Sequence, residues 1–262
     1  MTYRKSVLCF HKKPCSPHLE KVAPMLSQIS DLLHLCHEKH PDIVLVSEYF
    51  PKLIEVLKEL RTLSRFAVRN SINLLIVPQC DIFNPLTLLN DWGETKKRLM
   101  TADIQFEATQ IPDKTFIDSI GLWFDSCGTV YAFPKNERVP LHIIPGHEDI
   151  IVAICYELEK LDSHHFNGNM ARLLLNPAHL GYDDKASIRT LKFADTPHFL
   201  IPDSCYLKSI GASLAEKKIL AVRCDGANPV HTTGILNSPS GWTIEHLETS
   251  ERSMFLQLAN QI

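Results

Sequence analysis

No stretch of this chain comes near the roughly 20 consecutive apolar residues that a membrane-spanning helix requires, so a spanning helix is not expected. The short apolar patch Ser6-Val7-Leu8-Cys9-Phe10 sits between basic residues and precedes no small-residue cleavage site, so a strand is expected there rather than a signal peptide. Basic blocks are also missing. The 27 Lys and Arg residues are balanced by 30 Asp and Glu, for a formal charge of -3, and they gather on no one stretch. A nucleic-acid partner is therefore not expected. Eight cysteines are present, Cys9, Cys15, Cys36, Cys80, Cys127, Cys155, Cys205 and Cys224, but no two form a C-x-x-C pair. A chain of 262 residues builds its own core without disulfide staples, which fits reduced thiols in the cytoplasm. No period of 20–50 residues repeats, and no linker rich in Gly, Ser or Pro divides the chain. One domain spanning residues 1–262 is the expectation.

What is present is a regular alternation of short apolar runs and helical spacings. Strands are predicted at residues 6–10, 42–46 and 74–77, with helices over 19–38 and 52–70 between them. The pattern then changes. Residues 117–124 and 129–133 flank Asp125-Ser126-Cys127-Gly128, a strand–turn–strand signal with Gly in the turn. Further strands are predicted at 150–155, 173–175, 219–223, 233–236, 243–246 and 253–258, and further helices over 184–193 and 206–217. Residues 84–114 read as the least regular stretch, a long surface loop. Alternation first and hairpins later imply an α/β architecture, two sheets with helices outside them.

Two reactive side chains lie just beyond buried strands. Glu48 follows the apolar run that ends at Val46, and Cys155 follows residues 150–154. In open α/β sheets ligands bind beyond the carboxyl ends of strands, so these two can converge although distant in sequence.

The run Pro41-Asp42-Ile43-Val44-Leu45-Val46-Ser47-Glu48 resembles the strand that delivers the catalytic Glu of the nitrilase superfamily of carbon–nitrogen hydrolases. The run Leu122-Trp123-Phe124-Asp125-Ser126-Cys127-Gly128-Thr129-Val130-Tyr131 is similar to the hairpin before that family's Lys, which Lys135 matches. Ile151-Val152-Ala153-Ile154-Cys155-Tyr156-Glu157 resembles the strand and elbow of its nucleophile, in the manner of the amidase-like branches. The resemblance covers nearly the whole chain in order. It implies an α-β-β-α sandwich paired with a second copy into a four-layer homodimer, a small-molecule substrate, and neither metal nor organic cofactor.

The chemistry that the resemblance implies needs these residue types together. A thiolate attacks an amide or nitrile carbon better than water does. Glu48 takes the thiol proton and later returns it to the leaving group. Lys135 favours the thiolate and stabilises the tetrahedral intermediate, with the backbone N–H of Tyr156 as a second donor. Asn176, after the strand at 173–175, is a candidate for the pocket wall.

The chain departs from the family in two ways. A second Glu commonly lies between the Lys and the Cys. Here that interval is short and offers Glu137, Glu148 and Asp149, of which Glu137 is the choice because it precedes the Pro145-Gly146 turn. Amide hydrolysis leads, with nitrile hydrolysis and acyl transfer as variants. A catalytically silent protein of the same fold that binds a metabolite or a protein is the alternative that the shortened interval motivates. A Cys–His protease is a third, requiring one of His142, His147, His164, His165 or His179 to be set against Cys155. The cluster Cys36, His37 and His40 lacks the i,i+4 His pair of a zinc protease, so it is read as a cationic helix end rather than a metal site.

Overall fold

The computed structural model describes residues 4–12, 40–46, 52–78, 80, 91–135, 141–154, 157, 173–175, 177, 199–200, 221–222, 231–237 and 242–250. Within them lie thirteen strands and two helices. The strands are β1 (Arg4–Lys12), β2 (Ile43–Val46), β3 (Asn73–Ile76), β4 (Gln105–Ala108), β5 (Ile120–Phe124), β6 (Thr129–Pro134), β7 (His142–Ile144), β8 (His147–Val152), β9 (Leu173–Leu175), β10 (Phe199–Leu200), β11 (Ala221–Val222), β12 (His231–Asn237) and β13 (Trp242–Ser250). The helices are α1 (Leu53–Asn70) and α2 (Trp92–Met100).

The strands form two mixed sheets, and the chain is α/β. The larger has the order β12-β13-β1-β2-β3-β5-β6-β4, the smaller β11-β10-β9-β8-β7. In the larger sheet β1, β2 and β3 are parallel, β5 runs against β3, β6 against β5, and β4 along β6. Strands β1, β2, β3, β4 and β6 therefore all point one way. In the smaller sheet β8, β9 and β10 are parallel, and β7 and β11 run against them. Asp42 pins the register where β1, β2 and β3 begin. Its carboxylate accepts from the Ser6 N–H at 2.6 Å, and its carbonyl accepts from the Asn73 N–H at 2.9 Å.

Alternation along the strands gives the larger sheet two buried faces. Leu8, Val44, Leu74, Leu122, Phe124 and Val130 share a core with α1. That helix buries Leu53, Val56, Leu60, Leu63 and Ala67, one stripe at helical spacing. It ends where Ser71 turns into the left-handed region at φ 54° and Ile72 N–H closes back on Ala67 O at 3.0 Å. The opposite face carries Val7, Ile43, Leu45, Leu75, Trp123 and Phe133, all as fully buried as the first set. The smaller sheet meets this face. The Trp123 and His147 rings lie 5.3 Å apart, and Phe133 stacks on His142 at 4.6 Å. His147 Nε2 also faces Asp125 Oδ2 at 2.6 Å.

The helix at 53–70, the hairpin around residues 125–128 and the strands of β2, β3, β5, β6, β8 and β9 follow the sequence expectation. The expected loop at 84–114 is corrected: it contains α2 and β4. Asp91 caps α2 by accepting from the Glu94 N–H at 3.1 Å, and Trp92, Thr95 and Leu99 turn inward. Strand β7 is an addition, and β8 begins three residues earlier than expected because its first half, His147-Glu148-Asp149, is polar. The helices expected over 19–38, 184–193 and 206–217 and the strand over 253–258 lie outside the described residues.

Two predictions test this packing. A Cβ on Gly121 would come within 2.0 Å of the Phe133 ring, which also stacks on His142. Gly121→Ala is expected to lower the unfolding free energy by about 1–3 kcal/mol, the cost of overpacking, read by urea denaturation. Burial alone would raise the Asp125 pKa, but the Cys127 N–H and the His147 ring outweigh it and hold the carboxyl below 3.8. Asp125 therefore contributes stability that is complete above that value and is lost as pH falls through the folded pKa. Asp125→Asn is expected to flatten the acid limb of the stability curve below about pH 4.

Candidate active site

Strand direction decides which edge of each sheet collects the reactive side chains. Strands β2 and β6 point the same way, so the chain leaves both at one edge of the larger sheet. The cross-sheet contacts relate this edge to the smaller sheet. Phe133, near the end of β6, stacks on His142, and His142 pairs with Val152 at the end of β8. Asp125, which bonds to Thr129 at the start of β6, faces His147 at the start of β8. Strands β6 and β8 thus run side by side in one direction, and their carboxyl ends lie together.

Lys135 follows β6 at this edge. The residue is only 4 % exposed, which excludes a solvated loop lysine. Its backbone N–H donates to Ser119 O at 3.1 Å, fixing the first residue past the strand. Its Nζ lies 3.5 Å from Asp118 Oδ2. An ammonium withdrawn from water needs such partners, because burial of an uncompensated charge costs several kcal/mol. Cys80 joins the group from the segment after β3, its N–H donating to Asp118 O at 2.9 Å. Its thiol is buried, and burial first, then the Asp118 carboxylate, pushes its pKa far above the ordinary range.

Past β8, Ala153 N–H donates to Leu175 O at 3.0 Å, and Ala153 and Ile154 are fully buried. Glu157, also fully buried, closes the turn that begins at Ile154. Its N–H donates to Ile154 O at 3.0 Å, and its Oε2 accepts from the Ile154 N–H at 2.6 Å. The other oxygen, Oε1, faces His142 Nε2 at 3.3 Å. A cleft of about 200 Å³ opens between β4, β6 and β7, lined by Glu107, Tyr131, Phe133, Leu141 and Ile143 among others. Lys135 does not line it, so this cleft is not the site that strand direction selects.

No family model matches the chain, and no curated protein does. Solved structures do. A carbon–nitrogen hydrolase from Helicobacter pylori G27 aligns over 94% of this chain and 88% of its own, with a TM-score of 0.53 at 12% identity. Nit3 of Saccharomyces cerevisiae, a member of branch 10 of the nitrilase superfamily, aligns over 97% and 94%, with a TM-score of 0.52 at 12% identity. The NitN amidase of Nesterenkonia sp. AN1 aligns over 93% and 92%, with a TM-score of 0.51 at 11% identity.

The fold is that of the nitrilase superfamily.

Of the residues that sequence reasoning placed in a nitrilase-like site, Lys135 is described and buried. Glu48, Glu137, Cys155, Tyr156 and Asn176 lie outside the described residues. The elements leading to them are in place: β2 ends two residues before Glu48, β8 three before Cys155, and β9 directly before Asn176. Three residues were missed. Asp118 is the carboxylate that the structure brings to Lys135, 17 residues earlier in sequence, and no local pattern marks it. Glu157 appeared only as the last letter of Cys-Tyr-Glu, and His142 only as a base for a Cys–His protease. For that protease reading His147 is misplaced, since it faces Asp125 where β8 begins. Among the described residues no group of three or more His, Cys, Asp or Glu could hold a metal ion, and no helix is long and apolar enough to cross a membrane.

A raised thiol pKa means almost no thiolate at neutral pH, and the thiolate is the reactive species. Cys80 is therefore expected to stay unmodified by iodoacetamide at pH 7.5 in the folded protein, while the exposed Cys127 is modified. Peptide mapping before and after unfolding reads the difference.

Proposed function

We propose that the chain is a carbon–nitrogen hydrolase that cleaves a small amide through a thioester on Cys155. The observation that carries this reading is the burial of Lys135 at the edge where β2 and β8, the strands leading to Glu48 and Cys155, also end. A lysine costs too much to bury at a strand end unless its charge has a task or a structural partner there. The amidase and carbon–nitrogen hydrolase activities named for the similar structures support the same choice of chemistry.

In this mechanism Glu48 accepts the Cys155 proton as sulfur attacks the carbonyl carbon. Lys135 and the Tyr156 N–H stabilise the oxyanion. The C–N bond breaks, Glu48 returns the proton to the nitrogen, and ammonia or an amine departs. Water then attacks the thioester, giving up its proton to Glu48. The C–S bond breaks, the carboxylic acid leaves, and the thiol is restored. Asp118 holds Lys135 in orientation, and Asn176 lines the pocket. The same reading includes an α-β-β-α sandwich that pairs with a second copy, in the cytoplasm.

The test is brief alkylation with iodoacetamide at mildly acidic pH, with peptide mapping, followed by a screen of short amides for ammonia release. Cys155 is expected to react faster than Cys127. Glu48→Gln and Lys135→Met are expected to lower amide turnover by about 10²-fold or more, the usual cost of losing a general base or an oxyanion partner. Labelling of Cys155 no faster than that of Cys127, with no amide turned over, would overturn the reading.

A further inference from the structure

The Glu157–His142 pair is not used by the mechanism above, yet both groups are buried: Glu157 is 0% exposed and His142 4%. A carboxylate in such a place is stable only where its oxygens are matched. Oε2 accepts from the Ile154 N–H at 2.6 Å, the residue immediately before Cys155. Oε1 faces His142 Nε2 at 3.3 Å. An ionised carboxylate only accepts, so the imidazole nitrogen facing it carries a proton. The His142 ring is in turn stacked on Phe133 at 4.6 Å, two residues before Lys135. The Phe133 ring already fills the space that a Cβ on Gly121 would take, so it packs directly on the backbone of β5. The chain of contacts runs unbroken from the strand of Lys135, through Phe133, His142 and Glu157, to the backbone that precedes Cys155.

Resting on the hydrolase reading, we infer that Glu157 and His142 are positioning residues: they set the Cys155 elbow in register with Lys135 across the two sheets. Glu157 acts on the elbow through a backbone amide and touches neither substrate nor thiol in this role. His142 transmits the placement of β6 to Glu157, because its ring contacts one and its Nε2 the other. Displacing a reacting group by about 1 Å costs on the order of 10²-fold in rate, so a loosened elbow is visible in Cys155 reactivity well before the fold fails.

The test compares Glu157→Ala, Glu157→Gln, His142→Phe and wild type in the full chain. Three readouts are taken: the iodoacetamide rate at Cys155 relative to Cys127, hydrogen exchange of the peptide containing Ile154, and the thermal midpoint. His142→Phe keeps a ring against Phe133 but loses the donor, and Glu157→Gln keeps an acceptor for the Ile154 N–H. Glu157→Ala and His142→Phe are expected to slow Cys155 at least about tenfold, with Cys127 unchanged. Glu157→Ala is expected to lose exchange protection at Ile154, and Glu157→Gln to recover most of the rate and the protection. If Glu157→Ala does not fold, His142→Phe and Glu157→Gln decide. Folded Glu157→Ala and His142→Phe variants that label Cys155 at the wild-type rate overturn the inference and leave the hydrolase reading standing. A wild-type Cys155 no faster than Cys127, with no amide turned over, removes the hydrolase reading and this inference together.

Discussion

Two cross-sheet contacts, one at each end of β6 and β8, govern where anything reactive can gather. Phe133 on His142 joins the strand ends, and Asp125 to His147 joins the strand starts. With both in place the two strands must run in the same direction. Strand β8 is six residues long, about 20 Å at the usual rise. Reversing it would carry its exit that far from Lys135, beyond the reach of any side chain. The parallel run of β1, β2, β3 and β6 extends the same constraint across the larger sheet. The site is thus located by strand polarity before any side chain is considered.

Charge at that edge is held in a graded way. Lys135 is almost wholly buried beside the Asp118 carboxylate, which is itself about a third exposed. Water thus screens one partner and not the other. Cys80, next to the same carboxylate, is driven toward its neutral form by burial and by that negative charge. Two thiols near one edge therefore meet opposite conditions in the proposed enzyme. One is kept protonated first by burial and then by a neighbouring anion, while in that proposal Lys135 supplies a cation for the other. Burial and local charge together direct the sulfur chemistry.

Much of this was legible in the sequence, and the limits have physical causes. Strands buried on both faces, such as β2 and β3, appear as short continuous apolar runs, and α1 carries an apolar stripe at helical spacing. The turn at residues 125–128 declares itself through Gly128, whose φ of 101° suits glycine. The helix α2 was missed because only Trp92, Thr95 and Leu99 point inward and the rest, apart from Gly93 and the exposed Met100, is charged. Its one local signal, Asp91 followed three residues later by Glu94, is a capping pattern that apolar periodicity does not register. Strand β4, Gln-Phe-Glu-Ala, lies at a sheet edge and buries little, so it has no apolar run. Lys135 was found through its order relative to Glu48 and Cys155. Asp118, Glu157 and His142 were not, since the contacts of Asp118 with Lys135 and of His142 with Glu157 are set by tertiary structure. The pairing of β1 with β13, nearly the full length of the chain apart, is likewise written in no local pattern.

The meeting of the two sheets has a consequence for which positions can vary. The Phe133 ring occupies the space that a Cβ on Gly121 would take, and the same ring is the surface on which His142 stacks. A larger residue at 121 would therefore disturb the pairing of β5 with β6 and the contact between the sheets at once. Packing within one sheet and alignment of the two are a single tolerance, set by the one side chain that is not there.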